Sequence, residues 1–129
     1  MKKRELIQLF KRDFCGKVDN NVYRNCVETL VACVTLFEQM TTQSEAVNSF
    51  SYSFNNLKNS VLFFQNTMKA TNDELNKNSS LIEKIKTRKE CNKADRLCNK
   101  VFKFERKFEE VFGFSLNDVI IENVVKNKR

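Results

Sequence analysis

The chain has 129 residues, a one-domain length that can bury a real core. It contains no proline and only two glycines, so it lacks the turn chemistry that sandwiches and barrels repeat at every hairpin, and its 41% hydrophobic content excludes a disordered tail. A formal charge of +7 points to an acidic partner and says nothing about fold.

Taken in order, residues 3–15 predict a short amphipathic helix. Leu6 or Ile7, Phe10 and Phe14 mark its buried side, and Lys2, Lys3, Arg4, Lys11 and Arg12 its solvated side. Gly16 stops it, and Asp19-Asn20-Asn21 offers side-chain oxygens to cap the next helix. That second helix, about 21–41, carries Tyr23, Cys26, Leu30, Cys33, Phe37 and Met40 at alternating steps of three and four. Val27, Val31 and Val34 widen the stripe beyond a two-stranded seam, which predicts a central helix with neighbours on more than one side.

A break is expected at Thr41 to Ser44, where Thr42 and Glu45 have capping-box spacing and the heptad phase slips. The third helix, about 45–76, runs on the seam Val47, Phe50, Phe54, Leu57, Val61, Phe64, Met68 and Leu75. Phe50-Ser51-Tyr52-Ser53-Phe54 also alternates with period two, but no partner strand is evident and the residues are in phase with the helix that follows. Asn76 to Ser80 forms the next break. Ser80 with Glu83 repeats the capping-box spacing and starts a long fourth helix that ends at Gly113. Ser115 can cap a last short helix holding Val119, Ile120 and Val124, and 126–129 reads as a frayed basic tail. The expected product is a single all-α domain over 1–129. It is an antiparallel helical bundle of about five helices, three long and two short.

Two stripes run along the fourth helix. Ala94, Leu97, Val101, Phe104, Phe108 and Val111 form an apolar seam, and Lys86, Lys89, Lys93, Arg96, Lys100, Lys103 and Lys107 form a basic row one residue ahead of it. Long lysines beside a seam often cover it with their methylene stems. Residues 83–107, however, hold ten basic and four acidic residues, and none of Glu83, Glu90, Asp95 or Glu105 has a lysine or arginine four residues on. Such a row suits an acidic protein helix, duplex phosphates or an anionic membrane surface.

Of the five cysteines, Cys26 and Cys33 occupy core positions as small hydrophobes, a reducing compartment is expected to keep the thiols free, and Cys15 is the odd one out. Cys26 and Cys33 are seven residues apart, as are Cys91 and Cys98. If helices two and four lay side by side, the pairs Cys26–Cys98 and Cys33–Cys91 would be open to disulfide formation. The segment Val61, Leu62, Phe63 and Phe64 is apolar around most of a turn, so it is either deeply central or an oligomer interface. Phe63 and Phe102 fall beside their seams and are expected to stay partly exposed.

Histidine is absent, as are a glycine-rich phosphate loop and a G-x-S-x-G elbow, so no enzyme, metal, cofactor or small-molecule substrate is expected. Neither a secretory signal nor a transmembrane segment is evident, which predicts an intracellular protein of cytoplasm or nucleus. Abundant asparagine and lysine suit an A/T-rich genome, such as that of a large DNA virus or an intracellular parasite. The leading expectation is a non-enzymatic helical interaction or structural protein, self-associating or bound to a protein partner, including a virus-encoded capsid-associated role. The alternative is a sequence-independent nucleic-acid binder using the basic row.

Overall fold

The computed structural model describes residues 1–39, 44–78 and 80–116, the side chains of 44 and 75–78 excepted. Four helices are present among them: α1 (Lys3–Phe14), α2 (Asn20–Glu38), α3 (Ser44–Asn78) and α4 (Leu81–Phe112). No strand occurs there, and Phe50 to Phe54 is helical. Of the expected fifth, short helix only the start at Ser115 and Leu116 is described, and Leu116 is buried; Val119, Ile120, Val124 and the 126–129 tail lie outside the described residues, as do Met40 and Thr42.

Local chemistry sets the helix ends. The Asp19 carboxylate accepts from the Asn21 and Val22 backbone N–H groups at 3.0 and 3.2 Å, which satisfies donors that α2 leaves open. At α4, the Ser80 hydroxyl accepts from the Glu83 N–H at 3.4 Å. Gly113 ends α4 with φ +83°, a left-handed geometry that any side chain would strain, and its N–H returns to the Glu109 carbonyl. Gly16 makes the same kind of turn after α1, with φ +72°.

The helices form a ring of antiparallel neighbours, in which α1 touches α2 and α4, and α3 touches α2 and α4. Arg4 near the start of α1 makes a two-pronged bond to Glu38 at the end of α2, both prongs 2.8 Å. Between α3 and α4, Lys58 meets Glu105, Gln65 donates to Asp95 at 2.7 Å, and the Cys91 thiol donates to the Met68 carbonyl at 3.3 Å. Climbing α3 therefore means descending α4.

The pairs α1/α3 and α2/α4 lie on diagonals, and large rings bridge them. Phe10 of α1 reaches Phe54 of α3 with centroids 6.5 Å apart, and Phe37 of α2 reaches Phe112 of α4 at 5.1 Å. Phe10, Phe50, Phe54, Phe104 and Phe108 are almost wholly buried and touch one another edge-on, tilted or stacked, filling the bundle axis. Leu6, Leu30, Leu57 and Val101 close the remaining space. The predicted α2 stripe holds at Cys26, Leu30, Cys33 and Val34, whereas Val31 lies at its outer edge and is exposed.

Helix lengths do not match. At the usual rise α1 is about 18 Å long and α3 about 50 Å. The α3/α4 hairpin therefore runs on beyond the turn that joins α1 to α2. No described residue of α3 after Val61, and none of α4 before Ala94, is fully buried. That far stretch is a two-helix arm, with Leu81 and Ile82 at its tip 73% and 67% exposed.

Candidate functional site

The arm leaves the bundle at a step. There the α1–α2 turn stops short of the inner face of α3/α4, and a notch of about 440 Å³ opens. Its apolar lining is Phe64 of α3 and Leu97 of α4. Its polar lining is Lys17 from the turn with Glu90, Lys93, Arg96 and Lys100 from α4. Gly16 brings the backbone of the turn to the rim. Four cations thus face one carboxylate around an apolar floor.

The structure places the predicted basic row along the α1 side of α4 and divides it into three parts. Lys93, Arg96 and Lys100 border the notch. Lys103 and Lys107 border a shallower cleft with Glu5, Gln8, Leu9 and Arg12 of α1. Lys86 and Lys89 continue onto the arm as exposed residues. Some neutralisation exists at a spacing that the i,i+4 reading passes over: Glu90 meets Lys93 at 3.3 Å and Lys107 meets Glu110 at 3.4 Å, both i,i+3. These pairs lie at the surface and hold little energy. Glu105 is turned away from the row, to Lys58 on α3. Lys86, Lys89, Arg96, Lys100 and Lys103 make no ion pair among the described residues. Lys17 is the cation that sequence spacing misses, because only the tertiary fold carries the α1–α2 turn to α4.

The apolar segment is split by its own helix. Val61 is buried in the core, Leu62 packs against it, Phe64 lines the notch, and Phe63 points outward, 74% exposed. Phe102 is exposed as well, and the Lys58 ammonium lies 5.6 Å from its ring centroid.

The conditional disulfide pairs are not formed. Cys26 and Cys33 lie on α2 and Cys91 and Cys98 on α4, which are diagonal helices with no Cα atoms within 8 Å of each other. A disulfide needs Cα atoms roughly 4.4–6.8 Å apart, and all five cysteines are free thiols. Burial pushes the Cys26 thiol up to about 12 and Cys33 to about 11. Cys98 is raised too, by burial first and then by the neighbouring Asp95 carboxylate. Cys15 is exposed and interacts with the Tyr23 hydroxyl, whose own pKa is raised, mainly by burial and then by that thiol.

Among the described residues no three cysteines or carboxylates gather into a metal-holding group, and no helix is long and apolar enough to cross a membrane. The chain was compared with protein-family models, with curated proteins and with solved structures, and it matches none of them.

Proposed function

We propose that this is a non-enzymatic helical interaction protein whose α4 basic face, completed by Lys17, binds an acidic protein partner. The observation that carries this reading is the convergence of Lys17, Lys93, Arg96 and Lys100 around Phe64 and Leu97. Cations spread over a convex surface attract any polyanion. Cations around an apolar floor favour a partner that offers carboxylates and apolar surface together.

A second reading has its own observation. The unpaired cations from Lys86 to Lys103 extend about 25 Å along one helix, enough to follow duplex phosphates. One set of titrations separates the two. Wild type and the charge reversal Lys93→Glu/Arg96→Glu/Lys100→Glu are titrated with labelled polyglutamate and with a labelled DNA duplex, each at low and moderate salt. Under the leading reading polyglutamate binds, the triple variant loses it, and the duplex binds weakly or not at all. Tight duplex binding that falls steeply with salt and vanishes in the variant would transfer the function to nucleic acid. If the variant binds both probes like wild type, the row is only a solvated flank.

A further inference from the structure

Resting on the acidic-partner reading, we infer the form of that partner's contact segment. It is an amphipathic acidic helix that lies on the inner face of the α3/α4 arm, in line with α1 and beyond its end.

The fold presents the site in two halves. Over the second half of α4, the furrow on the inner face of the α3/α4 hairpin is covered by α1 and α2 together, α1 on the α4 side and α2 on the α3 side, and Phe10 and Phe14 of α1 are buried in the core. Past Phe14 the chain turns away at Gly16 and Lys17, yet the furrow goes on. Phe64, Met68 and Leu97 there are only half-buried. Their positions continue the seam that α1 and α2 cover further up, so the uncovered stretch on the α4 side, in line with α1, has the shape that accepts another helix. A helix laid there would set apolar residues at i, i+3 or i+4, and i+7 against this floor.

Charge selects the occupant. One flank of the furrow is Lys93, Arg96 and Lys100, and Lys17 stands at its head. Glu90 is the one carboxylate in the lining, and it is already engaged by Lys93. A helix with glutamates or aspartates beside its apolar stripe meets this flank with opposite charge. A second copy of this chain is a poorer charge match for the site. The solvated side of α1 is basic overall, with Lys2, Lys3, Arg4, Lys11 and Arg12 against Glu5, and so is the row on α4, while the outer face of α2 balances Glu28 with Arg24 and the outward face of α3 around Asn56, Asn59 and Asn66 is uncharged. A nucleic-acid duplex brings phosphates but no apolar stripe for Phe64 and Leu97.

The test uses the full chain and a labelled synthetic peptide of about four helical turns, with leucines at heptad spacing and glutamates flanking them. A scrambled peptide of the same composition without helical period is the control. The periodic peptide is expected to bind about tenfold or more tighter than the scramble. Phe64→Ala and Leu97→Ala should each weaken it by about fivefold or more with little change in salt dependence, since they remove apolar contact and no charge. A photoreactive group on the peptide's apolar face should label residues near Phe64 and Leu97, a readout on wild type that does not depend on variants folding. Equal binding of both peptides, or labelling around Phe63 on the outward side of α3, overturns the docked helix while leaving the acidic-partner reading intact. If neither peptide binds but a duplex does, both fall together.

Discussion

The Lys58 ammonium of α3 lies 2.8 Å from the Glu105 carboxylate of α4, with side chains only 19% and 15% exposed. The same ammonium sits near the Phe102 ring. This half-buried pair pins the register of the two longest helices at the level of the ring cluster. Removing one partner strands the other charge. Glu105→Leu or Lys58→Met alone should therefore cost about 1–3 kcal/mol in chemical denaturation. The double replacement should recover most of that loss, because two apolar side chains leave no unpaired charge. Additive losses in the double variant would mean that the pair does not act as a unit.

Thiol labelling should rank the cysteines. Cys15 is exposed and should react first, Cys91 is half-buried and should follow, and Cys26, Cys33 and Cys98 should be protected while the protein is folded. After denaturation without reductant all five should react, as free thiols must. Protein alkylated at lysis that still holds back two or four thiols under denaturant would contradict the diagonal placement of α2 and α4.

Alkaline pH should destabilise the fold through Cys26 and Cys33. Their folded values lie at about 12 and about 11, above an ordinary thiol value of 9.0. Between these limits the unfolded chain loses thiol protons that the folded chain keeps, so the stability contributed by the neutral thiols is fully present below pH 9 and declines as pH rises through the folded values. Replacing both residues with alanine should flatten that part of the stability–pH curve. An unchanged alkaline slope in the double variant would assign the effect to other groups.

Among the described residues of α3 two large hydrophobic side chains are exposed, Tyr52 and Phe63, and Phe63 is the more exposed. Phe63 is exposed while Val61 beside it is in the core. We expect concentration-dependent association of the wild type in sedimentation velocity, and a shift toward monomer with Phe63→Ser. Since Phe63 makes no core contact, folding stability should move by no more than about 0.5 kcal/mol. A wild type that stays monomeric at high concentration removes the interface.

Ser51 is fully buried on α3, and its hydroxyl has no hydrogen-bond partner among the described residues. Burying an unsatisfied hydroxyl costs free energy that alanine does not incur, so Ser51→Ala should leave stability unchanged or raise it by about 1 kcal/mol. A clear loss in denaturant titration would show that the hydroxyl has a partner in solution.

The helices themselves were legible in the residue order because their causes are local. Apolar residues three and four apart face one way on a helix whatever lies opposite, and this spacing located α1 to α4 to within a few residues. Asp19 and Ser80 cap where a side-chain oxygen precedes open N–H groups, and Gly16 and Gly113 stop helices because they alone accept the left-handed turn at no steric cost. The basic row was legible for the same reason, as one face of one helix.

Which helices are neighbours was not legible, since it depends on contacts between residues far apart in the chain. The cysteine spacing in α2 and α4 permitted a side-by-side pairing, and only the packing of Phe10, Phe54 and Phe104 puts those helices on a diagonal. Glu105 has no cationic partner four residues on, and its real partner, Lys58, comes from another helix. The notch exists because α1 is short and α4 is long, so that the turn carrying Lys17 ends against Lys100, with Phe64 and Leu97 beneath. Sequence by itself determined the helices and the faces each one buries, through spacing along a single chain segment. Tertiary structure alone decided which cations share a site, because that depends on where one helix ends against the middle of another.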